Sequence, residues 1–213
     1  MSVTDILKKT EDFVSNLFTE KLSPLFSYHN LSHTADVVEN TLKIGKKSNL
    51  SEEELEIAVI AAWFHDTGYT ISYNNHEEKG KEIAKNFLLG HNYDAEKTEK
   101  VLSCIDATKM PQTPKTPAEE VLCDADLNHF GRPDFFEYSD MLRNEWESLE
   151  INKTDDSQWY KTTIDLLSSH RFFTSYARKK LTPVQSTNLF QAQKLYKKSF
   201  KADRRRKSTF SKA

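Results

Sequence analysis

Glycine and proline are scarce in this chain, with 5 and 6 copies in 213 residues. So few breakers leave room for long helices and exclude a turn-rich all-β architecture. Cysteine is scarcer still. Cys104 and Cys123 stand too far apart for a C-x-x-C metal or redox motif, and two cysteines make no disulfide framework. Both are expected to be plain buried or half-buried thiols of a reducing compartment. Neither sign of charge dominates: 30 Lys and Arg against 32 Asp and Glu leave a net charge of -2. That balance gives no overall pull toward nucleic acid or membranes. Long apolar runs are also missing. The most apolar stretch, Ile57 to Phe64, is too short to span a bilayer, so no membrane partner is expected. The first residues, Met1-Ser2-Val3-Thr4-Asp5, lack the apolar region of a signal peptide, and the expected location is the cytoplasm.

What the chain does have is helical periodicity almost throughout. Ile6, Phe13, Leu17 and Leu22 mark one face of a first helix that Pro24 ends; Val37, Val38, Leu42 and Ile44 mark a second, starting near Ser32. Ser51-Glu52-Glu53-Glu54 is a capping box opening a third helix, so apolar through Ala58–Phe64 that it must be central in the core. His65 and Asp66 follow at its C-terminal end, where Gly68 is expected to stop it. Further helices are expected over 76–89, 94–108, from Thr116 to Gly131, and near 134–149, 155–170 and 182–200. The expected fold class is all-α. Residues 1–196 read as one domain with additional C-terminal helices, and 197–213 as a basic, flexible tail. That tail is read as a solvated terminus rather than a nucleic-acid contact.

Chemistry concentrates where histidine and aspartate meet. A long apolar helix normally gives way to a polar turn, not to two metal-ligand types beside a glycine. A carboxylate buried there needs a cation or hydrogen-bonding partners. A second helix offers His33, with His29 four residues earlier, and a third offers Asp124 and Asp126. Residues two apart on a helix point about 200° apart, so the two aspartates cannot both face one ion. Imidazole with carboxylate suits a divalent transition metal (Mn, Fe, Co, Ni or Zn, with Mg also admitted) better than Ca, which prefers oxygen alone. Such an ion, with open positions, would bind water and a phosphoryl oxygen together and bring the water's ionisation toward neutral pH.

The order His33, His65-Asp66, Asp126 resembles the H…HD…D signature of HD-superfamily phosphohydrolases over roughly Tyr28 to Gly131, which implies an HD-domain helical bundle. Tyr28-His29-Asn30-Leu31-Ser32-His33-Thr34-Ala35-Asp36-Val37 resembles the YHNxxHAxDV stretch of class I cyclic nucleotide phosphodiesterases, departing at Thr34. Ala61-Ala62-Trp63-Phe64-His65-Asp66, with Asn75-His76-Glu77-Glu78 after it, is similar to small bacterial HD phosphohydrolases, and the chain length also fits that group. By resemblance His33, His65, Asp66 and Asp126 are metal ligands. Asp126 is preferred to Asp124 because it sits in an A-D-L setting. His29 is implied as the general acid, and Asp66 as a catalytic residue as well as a ligand. His76, four residues before Gly80, resembles the H-x-x-x-G element of binuclear relatives such as the HD-GYP proteins. Those relatives carry further histidines on the next helix, whereas Ile105-Asp106-Ala107-Thr108-Lys109 has none. His76 and Glu77 are therefore expected either at a second ion or at the substrate.

Lys79, Lys109 and Arg132 are candidate phosphate-binding cations by sequence adjacency. His91 and His170 read as surface or packing residues. His129, three residues past Asp126, reads the same way, with a place on the pocket wall as the alternative. The implied activity is metal-dependent hydrolysis of a phosphate ester, with a small-molecule nucleotide as the expected substrate. Two rival readings are a non-catalytic metal- or nucleotide-binding module and a di-iron oxygenase. The second needs histidines that the 105–109 stretch does not supply.

Overall fold

In the computed structural model residues 3–210 are described, with side chains from 5 to 201. Among them stand nine α-helices, two short 3-10 turns and no strand, so the fold is all-α. The helices are α1 Val3–Lys21, α2 Leu31–Lys47, α3 Glu52–Phe64, α4 His76–Gly90, α5 Ala95–Ala107, α6 Pro117–Asp126, α7 Phe135–Ser148, α8 Asp156–Ser169 and α9 Ser175–Phe210. No helix of the described residues is long and apolar enough to cross a membrane. The chain divides into two units, Met1–Asn128 with Phe173–Ala177, and His129–Phe172 with Arg178–Ala213.

The first unit is built around α3. Its residues from Glu56 to Phe64 are all buried, as an all-round apolar helix requires, and α1, α2, α5 and α6 pack around it. The capping box forms. Ser51 Oγ accepts from Glu54 N at 3.2 Å, and Glu54 Oε2 accepts from Ser51 N at 2.9 Å. Asn30 caps α2 through Oδ1, which accepts from Ser32 N at 2.9 Å and His33 N at 3.2 Å, so the cap fixes the turn that carries His33. Thr116 caps α6 with Pro117 in the first turn. Cys104 and Cys123 are both buried free thiols.

Three helix ends differ from the sequence expectation. The third helix stops at Phe64, before Gly68, because Thr67 Oγ1 donates to the Phe64 carbonyl at 2.7 Å and the chain tightens into a 3-10 turn over Thr67–Thr70. The sixth helix stops at Asp126, not Gly131, and a second 3-10 turn over Asn128–Gly131 follows. The last helix begins at Ser175 rather than Thr182, because Thr174 Oγ1 accepts from Ala177 N at 3.1 Å and acts as a cap; Pro183 therefore lies inside it. The basic stretch from Lys197 continues this helix to Phe210, and 211–213 lie outside the described residues.

In the second unit, Trp159 Nε1 donates to Ser139 Oγ at 3.1 Å and ties α8 to α7. Asn188 donates to the Phe130 and Arg132 carbonyls at 2.9 and 2.8 Å, and so holds the 128–131 turn on α9.

Gly68 lets the first 3-10 turn touch the start of α4. A Cβ at Gly68 would stand 1.8 Å from the His76 carbonyl oxygen and 2.9 Å from Gly80 N, so only glycine fits. Gly90, at the other end of α4, has nothing within 4 Å of the same position. Gly68→Ala should therefore cost about 1–3 kcal/mol or more in urea unfolding, while Gly90→Ala should be neutral or slightly stabilising. Equal midpoints for the two variants would contradict this packing.

Candidate metal centre

Three helix ends deliver the site. His33 lies in the first turn of α2, His65 and Asp66 follow the last residue of α3, and Asp126 is the last residue of α6. Their polar atoms meet. His33 Nε2 stands 3.5 Å from both Asp66 Oδ2 and Asp126 Oδ1. His65 Nε2 stands 3.1 Å from Asp66 Oδ2 and 3.7 Å from Asp126 Oδ1. Ligand atoms about 2.1 Å from a shared ion stand roughly 3.0–3.4 Å apart, so this spacing suits one small cation. His33, His65 and Asp66 are buried, and each offers an atom within 4.8 Å of the others.

Hydrogen bonding shows what the cluster lacks. His65 Nδ1 stands 2.8 Å from the Ala62 carbonyl, which can only accept, so Nδ1 carries a proton and Nε2 of the neutral ring is a lone pair. That lone pair faces Asp66 Oδ2, another acceptor, and both atoms are buried without a hydrogen-bond partner. Two facing acceptors repel unless a proton or a cation lies between them. The helix dipoles sharpen the point. Asp66 and Asp126 sit at the C-terminal, partially negative ends of α3 and α6, where carboxylates are disfavoured and cations favoured. The donor set, the orphaned lone pairs and the dipoles all fit a divalent transition metal.

Charges follow the same logic. Burial disfavours charge on the His65 imidazole, yet the adjacent Asp66 and Asp126 carboxylates raise it to about 9. Burial likewise opposes ionisation of Asp66 and Asp126. Even so, His65 holds Asp66, and a hydrogen bond from His33 holds Asp126, below the ordinary carboxylate range.

His76 closes one side. Its Nε2 stands 3.8 Å from Asp66 Oδ1 and 3.6 Å from Glu77 Oε1, with Nδ1 3.3 Å from the Tyr73 carbonyl. Burial lowers its pKa, so the ring is neutral near pH 7. Tyr69 stacks on it with ring centroids 3.9 Å apart, and on its other neighbours lies 4.5 Å from His29. The His29 ring is 6.0 Å from that of His33.

Other expected residues fall elsewhere. Asp124, two residues before Asp126, is buried and accepts from Phe173 N at 2.7 Å and Thr174 N at 2.8 Å. Burial pushes its carboxyl up to about 6 against those two bonds. Lys79 pairs with Glu82 at 3.2 Å, and Lys109 is exposed just beyond α5. Arg132 belongs to the second unit, where Asp134 holds it at 2.7 Å. His129, also in that unit, stacks on Phe135 at 6.2 Å and is not on a continuation of α6. Sequence reasoning missed Tyr69, which stacks on His76, and Gln112, whose Nε2 donates to Asp126 Oδ2 at 3.1 Å. No residue-type signal marked either one, since contact rather than chemistry brings them in.

Residues 30–131 match the family model described as HD domain. No curated protein matches the sequence at a significant level. Among solved structures, the chain is similar to a predicted HD superfamily hydrolase from an uncultured Thermotogales bacterium, at 22% identity over 93% of this chain and 99% of the other, with a TM-score of 0.58. It is also similar to Bacillus subtilis YpgQ in complex with ADP, at 18% identity over 88% and 97% of the two chains, with a TM-score of 0.60. At these identities the likeness is one of fold.

Proton and cation compete for the same lone pairs. His65 keeps its proton until the pH passes about 9, so lowering the pH below that value strengthens the competitor. Apparent affinity for Mn²⁺ or Co²⁺ should climb from about pH 6 to 9, by up to about tenfold per unit for one displaced proton. Calorimetry in buffers of different ionisation enthalpy counts the protons released. An affinity flat across that window would contradict the arrangement.

Proposed function

The chain carries an HD domain over residues 30–131, and we propose that it is a divalent-metal-dependent phosphohydrolase acting on a small phosphate ester, a nucleotide in particular. The observation that carries this reading is the pair of orphaned, buried lone pairs on His65 Nε2 and Asp66 Oδ2, with His33 and Asp126 closing around them. In the proposal His33, His65, Asp66 and Asp126 hold the cation. When bound there, a divalent transition metal would supply Lewis acidity and bring water's ionisation toward neutral pH.

The remaining roles belong to the chain's own side chains. Asp66 turns Oδ2 to the imidazoles and leaves Oδ1, on the His76 side, to accept a hydrogen bond from the attacking water. As the new P–O bond forms and the ester P–O bond breaks, His29 gives a proton to the departing oxygen. His76 and Glu77 contact the substrate or a second ion. Lys109, on the loop that also carries Gln112, is the proposed phosphate-binding lysine, with Lys79 as a further candidate. The nucleotide part is supported by the ADP held by YpgQ, a protein of the same fold.

Elemental analysis and a hydrolysis screen over nucleotides and bis-p-nitrophenyl phosphate, with Mn²⁺, Co²⁺, Ni²⁺ or Mg²⁺, test the proposal. Asp66→Ala should lose both bound metal and turnover, while His29→Ala should keep the metal and lose ~100- to 10,000-fold in kcat. Full activity in Asp66→Ala would defeat the assignment. Stoichiometric metal with no turnover on any of these substrates would mark a binding module instead.

A further inference from the structure

The 108–116 connection between α5 and α6 does more than join two helices. Cys123 Sγ donates to the Ala107 carbonyl at 3.2 Å, which lays the end of α5 beside the last turns of α6. The connection therefore starts beside α6 before it reaches the cap at Thr116. Gln112, half-buried on that path, donates from Nε2 to Asp126 Oδ2 at 3.1 Å. A carboxylate only accepts, so the amide nitrogen must be the atom that faces it, and Oε1 is fixed on the other side. Oε1 is buried and has no hydrogen-bond partner.

This contact divides the work of Asp126. Oδ2 is held by the amide, and Oδ1 is the oxygen left facing His33 and His65 at 3.5 and 3.7 Å. Asp126 retains 16% side-chain exposure, against 5% for Asp66 and 2% for His65, so it is the ligand candidate nearest solvent. It is the one most in need of outside orientation. A buried amide oxygen without a partner is unfavourable unless a donor arrives.

We infer that Gln112 is a positioning residue: it aims Asp126 at the cation, and its Oε1 accepts a hydrogen bond from the water or a substrate hydroxyl brought into the site. The inference rests on the cation-binding reading above. Partners that orient ligating carboxylates typically change metal affinity 10- to 100-fold when removed.

The test uses the full chain stripped of metal and titrated with Co²⁺, with calorimetry for affinity and visible absorption for coordination geometry. Gln112→Met keeps the side chain's length and removes both amide functions. It should weaken Co²⁺ binding about 10- to 100-fold and alter the d–d bands. At saturating Co²⁺ it should also lower kcat about 2- to 10-fold, with the unfolding midpoint of the metal-free protein unchanged. Should Gln112→Met fail to fold, Gln112→Asn, which withdraws the amide by one methylene, should show the same pattern. Affinity within twofold of the parent with an identical spectrum overturns the inference, as does a loss that merely follows a lower metal-free unfolding midpoint. Weakened affinity with unchanged kcat overturns the acceptor role of Oε1 and leaves the positioning of Asp126 standing. A parent protein that binds no Co²⁺ overturns this inference and the metal-centre reading together; a parent that binds and hydrolyses while Gln112→Met matches it overturns this inference alone.

Discussion

An imidazole nitrogen and a carboxylate oxygen, His65 Nε2 and Asp66 Oδ2, meet in the interior of this protein, and the contact is favourable only when it carries positive charge. His65 commits its Nδ1 proton to the Ala62 carbonyl, so in the neutral ring Nε2 offers a lone pair, and it offers it to a carboxylate oxygen 3.1 Å away. A proton between them relieves the repulsion, which is why the imidazole holds one to about pH 9. A small cation can do so for His33, His65, Asp66 and Asp126 at once. The helix ends of the first unit bring these four side chains together, so that the site calls for positive charge, from a proton or from a cation.

The arrangement depends on where helices end. An interior position of α3 would bury His65 against neighbouring turns, whereas the residue just past Phe64 lets the chain swing Asp66 inward while Thr67 and the 3-10 turn satisfy the freed carbonyls. The same break carries the chain through Gly68 to the start of α4, where the His76 backbone presses on that glycine and the His76 ring lies beside Asp66. Asn30 does the complementary work on α2. By capping the helix it fixes the turn that carries His33. Caps, breaks and ligand candidates are therefore one design, and a change of helix length by a single residue would rotate a ligand candidate by about 100° away from the others.

The sequence was most legible where periodicity is long and composition extreme. The burial of α3 from Glu56 to Phe64 follows from an apolar run no surface helix would carry, and the all-α class from the shortage of breakers. The four side chains that meet were also legible, since histidine and aspartate at helix ends declare themselves by residue type. Helix ends themselves were less so. Gly68 and Gly131 looked like stops, yet Thr67 Oγ1 and the turn after Asp126 end those helices earlier, through hydrogen bonds that periodicity does not encode. Gln112 and Tyr69 were not legible at all. An amide in a loop and one tyrosine among 8 acquire meaning only when the chain's path brings them to Asp126 and His76.

Asp124 and Asp126 show how the same residue type, two positions apart on one helix, can serve opposite ends. Asp124 points away from the cluster and receives two backbone N–H groups, from Phe173 and Thr174, at 2.7 and 2.8 Å. Its hydrogen-bonding needs are met by the chain, and it fastens the 173–177 segment to the first unit. Asp126 receives one amide proton on one oxygen and turns the other toward two imidazoles. A carboxylate satisfied by backbone donors is structural, because adding a cation would compete with bonds already made. A carboxylate left half satisfied beside two imidazole nitrogens can take up positive charge, from a proton or from a cation. By that criterion the division between architecture and chemistry in α6 falls between residues 124 and 126, and burial alone, which is deeper at the first, would have assigned them the wrong way round.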